Sequence, residues 1–410
     1  MKIAYITAQA PWGRGETFII DEMLALKKAG TELLIIPRNP PKEVFHSDAV
    51  PLLTAAHQVP LISFNVVWHF IASLMMKPNL WWILSSIIRH SRSFSLLLKN
   101  FAVVPKGVFC ARLLKKAGIN HIHAHWGSTT ATIGYVISQL SGIPWSFTLH
   151  RWDIYENNML EEKARSASFV RCISQKGKVD LLKIIGSNYA DKVRVVHMGV
   201  KVPTMDKTPI ASRFNNWNAS DKKFVFILPA NLLPVKGHEY LIDAVSLLSQ
   251  NGLKNFHFIF YGDGPLRKRL EEYIHNKGVK EYIEMPSIIP HNELINIYKN
   301  GNADAVVLPS INTEDGEHEG IPVALIEAMG YGVPVISTDT GSIAELLSDG
   351  AGLLVKEKSP NELAEAILNL VSNKNFALNL GLKGYEKVSK EFNIEKTSRA
   401  LLQLISQEKA

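Results

Sequence analysis

The sequence predicts an α/β protein made of two domains, each formed around a parallel β-sheet. Its 410 residues exceed what one hydrophobic core of ordinary size organises, so two domains of roughly 200 residues each are expected. Short apolar runs alternate with amphipathic helical stretches along the chain, which is the pattern of parallel sheets covered by helices. Between the halves, residues 201–222 lose this periodicity and gather Pro, Asn, Ser and Asp, which indicates an interdomain linker.

The first half opens in the order strand, loop, helix, strand. KIAYIT (2–7) and ELLIIP (32–37) have the apolar character of buried strands, and TFIIDEMLALKKAG (17–30) that of an amphipathic helix. Because the chain opens on a strand and lacks both a basic n-region and a long apolar h-region, we expect no secretory leader.

The second half repeats this alternation more clearly. Its predicted strands are KFVFILPA (223–230), NFHFIFYG (255–262), YIEMPS (282–287), DAVVLPS (304–310) and PVISTD (334–339). The helices between them include HEYLIDAVSLLSQ (238–250), PLRKRLEEYIHN (265–276) and HNELINIY (291–298). Ligands of such sheets bind beyond the carboxyl ends of the strands, so the strand-to-helix loops are the candidate binding loops.

Four glycine-containing loops follow predicted strands. Free backbone N–H groups at such places bind anions, so these loops are candidate phosphate sites. They are Gly13-Arg14-Gly15, residues 234–237, residues 262–265 and residues 340–342. The first is not a dinucleotide fingerprint, because the position of its third glycine is occupied by Phe18.

Cysteine and histidine usage argues against a metal site. Cys110 and Cys172 are far apart in sequence, which favours free buried thiols in a reducing compartment over a disulfide framework. His123 and His125 alternate on one predicted strand without a neighbouring cluster of Cys, Asp or Glu, so we interpret them as strand-end or core residues. The chain contains no Asp-x-Asp sequence, and a metal-bridged diphosphate is not expected.

One segment makes the chain basic. Residues 49–152 contain no acidic residue but nine basic ones, more than the net charge of +7 of the whole chain. The same segment holds two apolar, aromatic runs, broken by Lys77 and Pro78, each too short for the roughly 20 residues of a spanning helix. We therefore expect the insert at about residues 61–116 to lie on an anionic membrane surface. The alternative is a set of helices packed into the N-terminal domain, and nucleic-acid binding is disfavoured because no known nucleic-acid motif is present.

A pair of carboxylates raises a question of charge. Glu327 lies in the apolar helical run VALIEAMG, and its neighbours three and four positions away include no cation. Glu319 precedes that run in EGIPVALIE. A partner from elsewhere, in the chain or in a ligand, must therefore meet the charge of Glu327.

These residues carry a resemblance. Glu319 and Glu327, with VKG (235–237) and YGDGPL (261–266) upstream and GVPVISTDTGS (332–342) downstream, strongly resemble the retaining glycosyltransferases of family 4. FTLHRWDIY, IHAHWG and VVHMGV in the first half are similar to the branch that builds exopolysaccharides of the colanic-acid kind. The resemblance runs from the first strand to about residue 390. It implies the GT-B fold, with two facing Rossmann-like domains and an interdomain cleft.

The resemblance also implies the domain boundaries. We expect an N-terminal acceptor-binding domain over residues 1–205 and a C-terminal nucleotide-sugar-binding domain over residues 206–385. A helix over residues 386–410 is expected to return to the N-terminal domain.

The family's site residues carry over position by position. Glu327 is expected to bind the ribose hydroxyls of a nucleotide-sugar, although a distant lysine is an alternative partner, and Glu319 to lie by the donor hexose. Backbone groups of Gly320, Ile321 and Pro322 are expected at the sugar. Lys236 and the loop amides of Gly341 and Ser342 are expected to stabilise the diphosphate leaving group.

One site position departs from the family's pattern, and another lies in the first half of the chain. The family usually has an arginine where this chain has Asn231, and Arg14 between Gly13 and Gly15 is our suggested substitute. His150, followed by Asp153 in the family's spacing, is expected to contact the donor sugar or to steer the acceptor.

The resemblance thus predicts a metal-independent, retaining hexosyltransferase without a cofactor. The donor would be a UDP- or GDP-sugar, and the acceptor a polyprenyl-diphosphate-linked saccharide at the inner face of the cell membrane, reached from the cytoplasm. Transfer to a soluble acceptor and epimerisation of a nucleotide-sugar are the alternatives. A membrane scaffold without turnover is a third, disfavoured by the intact set of charged residues.

Overall fold

A computed structural model describes residues 1–13, 16–40, 47–204, 223–316 and 318–407. Most of the predicted linker at 201–222, and the loop residues Arg14 and Gly15, lie outside this described part. The chain divides into an N-terminal unit, Met1–Gly199 with Ile394–Ala410, and a C-terminal unit, Val200–Asn393.

The observed boundaries fall a few residues from the predicted ones. Within the N-terminal unit, Gly199 packs so closely on Ile394 that a Cβ on the glycine would lie 2.6 Å from Ile394 Cα. Within the C-terminal unit, the N–H of Val200 donates to the carbonyl of Phe392 at 2.8 Å. The final helix that belongs to the N-terminal unit therefore begins at Ile394, later than residue 386.

In the described N-terminal unit, six parallel strands form one sheet. In chain order they are β1 (Lys2–Thr7), β2 (Glu32–Pro37), β3 (His121–His125), β4 (Trp145–Leu149), β5 (Phe169–Cys172) and β6 (Val193–Val195). They pair in the order β2-β1-β3-β4-β5-β6. Every residue of β3, β4 and β5 is buried, as expected for parallel strands covered by helices on both faces.

The helices of this unit follow the strands in sequence. They are α1 (Thr17–Lys28), α2 (Phe64–Met76), α3 (Pro78–His90), α4 (Phe94–Lys116), α5 (Thr129–Ser141), α6 (Arg151–Glu156), α7 (Leu160–Ser166) and α8 (Gln175–Ile185). The apolar core lies between the sheet and helices such as α4 and α5.

The C-terminal unit has a second parallel sheet of six strands within the described residues. They are β7 (Phe224–Pro229), β8 (Phe256–Tyr261), β9 (Ile283–Glu284), β10 (Ala305–Leu308), β11 (Val335–Thr338) and β12 (Leu353–Val355), in the order β12-β11-β10-β7-β8-β9. Read from β9, this is the strand order of dinucleotide-binding Rossmann folds, and the order reverses between β7 and β10. The carboxyl ends of those two strands are therefore the expected place for a ligand.

Helices cover this sheet as well. They are α9 (His238–Gln250), α10 (Arg267–Asn276), α11 (His291–Asn300), α12 (Val323–Gly330), α13 (Ile343–Leu347), α14 (Pro360–Ser372) and α15 (Lys374–Glu391). The last described helix, α16 (Ile394–Gln407), returns to the N-terminal unit and contributes Leu401 and Ile405 to its core.

The basic, apolar insert at 61–116 separates into two kinds of helix. In α4, Lys106 is fully buried and donates to the carbonyls of Pro37, Arg38 and Val59 at 2.5, 3.0 and 2.6 Å. In contrast, α2 exposes most of its large apolar side chains, and α3 exposes three while its other face is buried in the core. The exposed ones are Phe64, Val67, Trp68, Ile71, Met75 and Met76 on α2, and Trp81, Trp82 and Ile88 on α3.

The sequence prediction that no run here could span a membrane needs correction. Among the described residues, α4 is long and apolar enough to do so by length and composition, because Pro105 and Lys106 do not end the helix. Taken together, α2 and α3 are also long and apolar enough to cross a membrane, but the chain bends by 105° between them. Half of the apolar stretch of α4 is buried inside the protein, which is equally typical of a core helix.

Candidate active site

The loops at the carboxyl ends of β7 and β10 are locked together in the C-terminal unit. Lys236 ends a short 3-10 turn, Pro234–Lys236, and Gly237 follows it with a φ of +66°. A Cβ on Gly237 would lie 1.9 Å from the carbonyl oxygen of Pro309, so only glycine allows this approach. The N–H of Ile311 donates to the carbonyl of Val235 at 2.9 Å. This contact holds Lys236 at the carboxyl edge of the sheet.

Lys236 and Glu319 form an ion pair through Nζ and Oε1. Their side chains are only 20% and 14% exposed, so the two charges are partly withdrawn from water. The hydroxyl of Ser310 lies 3.5 Å from the same carboxylate oxygen. The structure therefore brings together the cation predicted for the diphosphate and the carboxylate predicted for the donor hexose.

The loop after β11 completes this group. Gly341 has a φ of +57°, and a Cβ there would lie 1.8 Å from the carbonyl oxygen of Glu319. The N–H of Ser342 donates to the carbonyl of Gly320 at 3.3 Å. The residues predicted to bind the sugar and those predicted to bind the diphosphate thus lie in direct contact.

The apolar helical run that the sequence shows from Val323 is helix α12, and Pro322 is its N-cap residue. Its carbonyl accepts the N–H of Leu325 at 3.1 Å. Next to it, Ile321 is half-buried, and a Cβ on Gly320 would meet no atom within 4 Å.

Glu327 has a partner that the sequence did not reveal. His291, the first residue of α11, places Nε2 2.8 Å from Oε1 of Glu327. In the ligand-free protein a histidine of the chain therefore meets this charge, in place of the distant lysine considered as the alternative, and binding of ribose hydroxyls stays a prediction. Glu327 is 15% exposed and His291 61% exposed, so the histidine lies on the solvent side of the pair. No periodicity links positions 291 and 327, which is why sequence reasoning missed the contact.

Asn231, which stands where the family usually has an arginine, is exposed on the loop after β7. The loop after β8 packs closely against this loop, because a Cβ on Gly262 would lie 2.0 Å from the carbonyl oxygen of Ala230. The proposed substitute, Arg14, lies outside the described residues.

In the N-terminal unit, Gly13 follows β1 and His150 follows β4 at the carboxyl ends of those strands. His150 precedes α6, and its N–H donates to Oδ2 of Asp153 at 3.0 Å. The other carboxylate oxygen of Asp153 accepts the N–H of Ser128 at 3.2 Å. Burial raises the pKa of Asp153 to about 7. The aspartate therefore joins the loops that follow β3 and β4.

Glu16, which sequence reasoning did not single out, organises the loop before Gly13. Its carboxylate accepts the N–H groups of Ala8, Gln9 and Ala10 at 3.2, 2.6 and 2.7 Å. It also accepts the indole N–H of Trp126 at 2.5 Å. Gly13 itself has a φ of +87°, and a Cβ there would lie 2.4 Å from Oε1 of Gln9.

Trp126 has a backbone that suggests a functional role. It has a φ of +86°, in a region that bulky residues avoid and that is enriched at functional sites. Its ring lies 4.4 Å from that of His150, measured between centroids. The strained tryptophan and the predicted histidine therefore form one aromatic cluster at this edge of the sheet.

The two alternating histidines of β3 have different environments. Both ring nitrogens of His123 lie near hydroxyls, those of Ser146 and Thr148, at 2.8 and 2.9 Å. His125 lies between Tyr5 and His150. Ligand atoms of Glu22, His123 and His125 approach within 4.8 Å of one another, which is close enough for a metal site. The group does not fit a metal well, because these atoms already have partners and Arg171 pairs with Glu22 at 2.6 Å.

Comparison with known proteins shows which enzymes this chain is similar to. Residues 210–387 match the family described as glycosyl transferases group 1. WcaL of Escherichia coli K12, whose name assigns it provisionally to colanic acid biosynthesis as a glycosyltransferase, is 32% identical over 217 residues. That alignment covers 52% of this chain and 51% of WcaL, so the chain spans about half the length of this relative.

Two further matches cover nearly the whole chain. A UDP-Gal:alpha-D-GlcNAc-diphosphoundecaprenol alpha-1,3-galactosyltransferase of Escherichia coli is 24% identical over 383 residues, covering 86% of this chain and 94% of that protein. Among solved structures, HepE of Anabaena in complex with UDP superposes with a TM-score of 0.72 at 17% identity, over 99% of this chain and 100% of HepE.

Two parallel sheets, each with Rossmann-like helical cover, together with these structural neighbours, define the GT-B class and confirm the predicted fold. Residues 210–387 match the glycosyl transferases group 1 family, and this match, together with the relatives, supports the predicted resemblance to family 4 enzymes of the exopolysaccharide type.

Proposed function

We propose that the protein is a retaining glycosyltransferase that moves a hexose from a nucleotide-sugar to a lipid-linked saccharide during synthesis of a bacterial surface polysaccharide. One observation carries this proposal. Lys236, Glu319 and the Gly341–Ser342 loop meet at the carboxyl ends of three adjacent strands, β7, β10 and β11. A cation, a carboxylate and a glycine loop in contact are what a sugar diphosphate requires.

The diphosphate would be held without a metal. As the bond between the anomeric carbon and the phosphate oxygen breaks, negative charge grows on the leaving group. Lys236 supplies a fixed positive charge there, and the helix α13 that follows Ser342 directs its N-terminus to the same loop. In the free protein Glu319 neutralises Lys236, and the arriving diphosphate would share or replace that contact.

Retention would follow from attack on the face that the leaving group vacates. The acceptor hydroxyl oxygen bonds to the anomeric carbon on that face, while its proton passes to the departing phosphate oxygen. Glu319 would stabilise the positive charge that the sugar carries after the bond to the phosphate oxygen breaks and before the bond to the acceptor oxygen forms. This scheme needs no second carboxylate as a nucleophile, unlike the double displacement of retaining hydrolases.

The nucleoside would bind at Glu327. Its carboxylate would accept hydrogen bonds from both ribose hydroxyls in place of the bond from His291. HepE, a structural neighbour, was crystallised with UDP, which favours a uridine nucleotide as the first donor to test.

The acceptor proposal rests on the surface of α2 and α3. The two helices expose large apolar side chains, with Phe64 82% and Met75 84% exposed. Trp81 Nε1 donates to the carbonyl of Leu74 at 2.9 Å, which fixes the turn between the helices. Basic residues without acidic neighbours accompany them along residues 49–152. Apolar and basic groups together match an anionic membrane from the cytoplasmic side, where a polyprenyl-linked acceptor would lie. The galactosyltransferase relative is named for a diphosphoundecaprenol-linked acceptor.

The test begins with the donor. Thermal shifts measured with UDP-, GDP- and ADP-sugars should single out one nucleotide. Transfer from that donor to a synthetic polyprenyl-diphosphate saccharide should then proceed in EDTA, and the anomeric configuration of the product should match that of the donor by NMR. Lys236→Ala should lose turnover, whereas Lys356→Ala, which removes an exposed lysine paired with Glu362, should not. Absence of a shift with every nucleotide-sugar, or an inverted product, would overturn the proposal.

A further inference from the structure

A continuous chain of hydrogen bonds runs through the N-terminal unit from a buried charge to His150. Arg171 donates from one guanidinium nitrogen to Oε2 of Glu22 at 2.6 Å, and both side chains are fully buried. The hydroxyl of Tyr5 donates to Oε1 of Glu22, and Nδ1 of His125 lies 3.1 Å from that hydroxyl. Nε2 of His125 then lies 2.8 Å from Nε2 of His150.

The end of this chain at Arg171 is fixed. Besides Glu22, Arg171 donates to the backbone carbonyls of Val196 and His197, each at 2.8 Å. A guanidinium has only donors and does not lose its proton in proteins. Burial raises the pKa of Glu22, but Arg171, the Tyr5 hydroxyl and His123 together outweigh it and hold the pKa of this carboxyl below its usual value. Glu22 is therefore a carboxylate that only accepts hydrogen bonds.

Only one placement of the protons satisfies every hydrogen bond between Glu22 and His150. Tyr5 has a single proton, and it must point at Glu22, because otherwise the lone pairs of the two oxygens would face each other. The hydroxyl oxygen of Tyr5 can then only accept a hydrogen bond, so His125 carries its proton on Nδ1. With Nδ1 protonated, Nε2 of a neutral His125 is an acceptor, and the proton between the two histidines must come from His150.

We infer that the buried chain of Arg171, Glu22, Tyr5 and His125 fixes His150 as a neutral imidazole with its proton on Nε2, so that Nδ1 is the acceptor nitrogen. This agrees with the capping box at the start of α6, in which the His150 side chain accepts the backbone N–H of Asp153. The four residues are positioning residues, because they act through His150. Burial, then the charges of His150 and Arg171, lower the pKa of His125 well below its usual value. Burial, then Arg171, lower the pKa of His150 to about 3.

The surrounding titratable groups do not offer His150 another proton path. Asp153 accepts the backbone N–H of His150, and Glu16 accepts the indole N–H of Trp126. His123 has its two nitrogens beside the hydroxyls of Ser146 and Thr148. The tautomer of His150 is therefore set from the side of His125.

The inference deepens the proposed function and takes its catalytic meaning from it. A histidine fixed in this form offers only an acceptor through Nδ1, so a sugar hydroxyl would have to share or replace the backbone N–H of Asp153 there. It does not serve as a general acid toward the leaving group, because it holds no proton on the side away from His125. The assignment itself concerns the protein without substrate and is testable even if the proposed reaction is wrong.

The test is the protonation state of each ring nitrogen in the full-length protein. Long-range ¹⁵N–¹H spectra of ¹⁵N-histidine-labelled protein, assigned with His150→Gln and His125→Gln, report which nitrogen carries hydrogen. We expect His150 to be protonated at Nε2 and His125 at Nδ1, with neither signal moving between mildly acidic and mildly basic pH. A proton on Nδ1 of His150, or an imidazolium at either residue, would overturn the inference.

One variant should reverse the whole chain. In Glu22→Gln, the amide oxygen must face Arg171, which only donates, so the amide NH₂ faces Tyr5. Tyr5 then donates to His125, and both histidines exchange their protonated and unprotonated nitrogens. The same variant should lower kcat more than it changes KM for the donor.

A matched control exists in the same unit. Glu162 is also a buried carboxylate that accepts a hydrogen bond from a buried tyrosine, Tyr135, at 2.9 Å, and pairs with Arg165 at 2.7 Å. Glu162→Gln should leave the spectra of both histidines unchanged. If Glu22→Gln folds and the tautomers stay as they were, the chain does not control His150. Should that variant fail to fold, the wild-type spectra alone decide the inference.

Discussion

At the scale of single residues, Glu319 and Glu327 come from one short stretch of sequence but meet different cations. Glu319 pairs with an ammonium group, that of Lys236, while Glu327 pairs with the imidazole of His291, which is charged only when protonated. The two carboxylates are equally shielded, at 14% and 15% exposed. An ammonium partner suits a site that handles diphosphate charge, and a conditional, exposed partner is easily displaced by neutral ribose hydroxyls.

Glu327→Ala should weaken donor binding. Hydrogen bonds to a charged group contribute about 1.5–3 kcal/mol, so the dissociation constant of the correct nucleotide-sugar should rise roughly tenfold to a hundredfold. Calorimetry measures this directly. His291→Ala is the matched control, and it should leave the affinity unchanged or improve it, because the ribose would no longer compete with the histidine. Unchanged affinity in Glu327→Ala would remove the ribose assignment.

Lys236 and Arg14 should act on the same diphosphate. Each alanine variant is expected to lose turnover, and the double variant should lose less than the product of the two single losses, because the residues share one partner. Steady-state kinetics of the four proteins of this cycle test the idea. A fully active Arg14→Ala enzyme would exclude Arg14 as the substitute for the arginine missing at Asn231, while leaving Lys236 in its role.

The sequence predicted the site residues that lie in recognisable motifs, but not those that join the site only through tertiary contacts. Lys236, Glu319 and the glycine at 341 could be chosen from their motifs, and the structure brings them into contact. His291 and Glu16 could not be chosen, because a lone histidine or glutamate in a loop or helix start has no pattern of its own. The same holds for Arg171 and Glu22, which are 149 positions apart in sequence.

At the scale of elements, the basic insert shows the limit of composition. Its helices have similar residues, yet α4 is packed against α5 while α2 and α3 expose their aromatic side chains. The close approach of α4 depends on Gly107, since a Cβ there would lie 2.8 Å from Cγ1 of Val136 on α5. One small residue thus allows the close packing of α4 on α5, and an average hydropathy does not reveal it.

Gly107→Ala should destabilise the N-terminal unit. Alanine favours a helix over glycine by about 1 kcal/mol, but an added methyl group in a packed interior costs about 1–3 kcal/mol. Gly330→Ala in α12 is the matched control, because its nearest neighbour would be an ordinary 3.7 Å from the new Cβ. Thermal melting should show a lower transition for Gly107→Ala than for Gly330→Ala. Equal melting would mean that α4 and α5 adjust without cost.

At the scale of the whole molecule, the fold was readable because each domain repeats a strand-to-helix alternation that has one stable outcome, a covered parallel sheet. The alternation fixed the strands of the C-terminal unit nearly to the residue, for example β8 within NFHFIFYG. The domain boundary was less readable, because it depends on the tertiary packing of Gly199 on Ile394, positions far apart in the chain.

The segment 49–152 combines basic residues with exposed apolar side chains, and we predict that it binds the protein to an anionic membrane. Of the basic residues in the segment 49–152, Lys106 is buried and unavailable to lipid, whereas Arg89, Arg92, Lys99, Lys115 and Lys116 are exposed. Electrostatic attraction to a membrane is screened within about 8 Å at physiological salt, while inserted aromatic side chains are insensitive to salt. Binding to anionic vesicles should therefore weaken with salt but not vanish, which liposome sedimentation at low and high salt measures.

Two variants and a control separate the contributions. Replacing these five exposed basic residues with glutamine, and leaving the exposed Lys77 and Arg112 in place, should abolish the preference for anionic over neutral lipid. Replacing Trp68, Trp81 and Trp82 with serine should instead remove the binding that persists at high salt. The control replaces five exposed lysines of the C-terminal unit with glutamine, Lys254, Lys268, Lys280, Lys299 and Lys356, which changes the net charge equally and should leave binding intact. If the control loses as much binding as the first variant, net charge alone attracts the protein. If the wild type shows no preference for anionic vesicles at low salt, α2 and α3 do not face a membrane, and transfer to a soluble acceptor becomes the leading hypothesis.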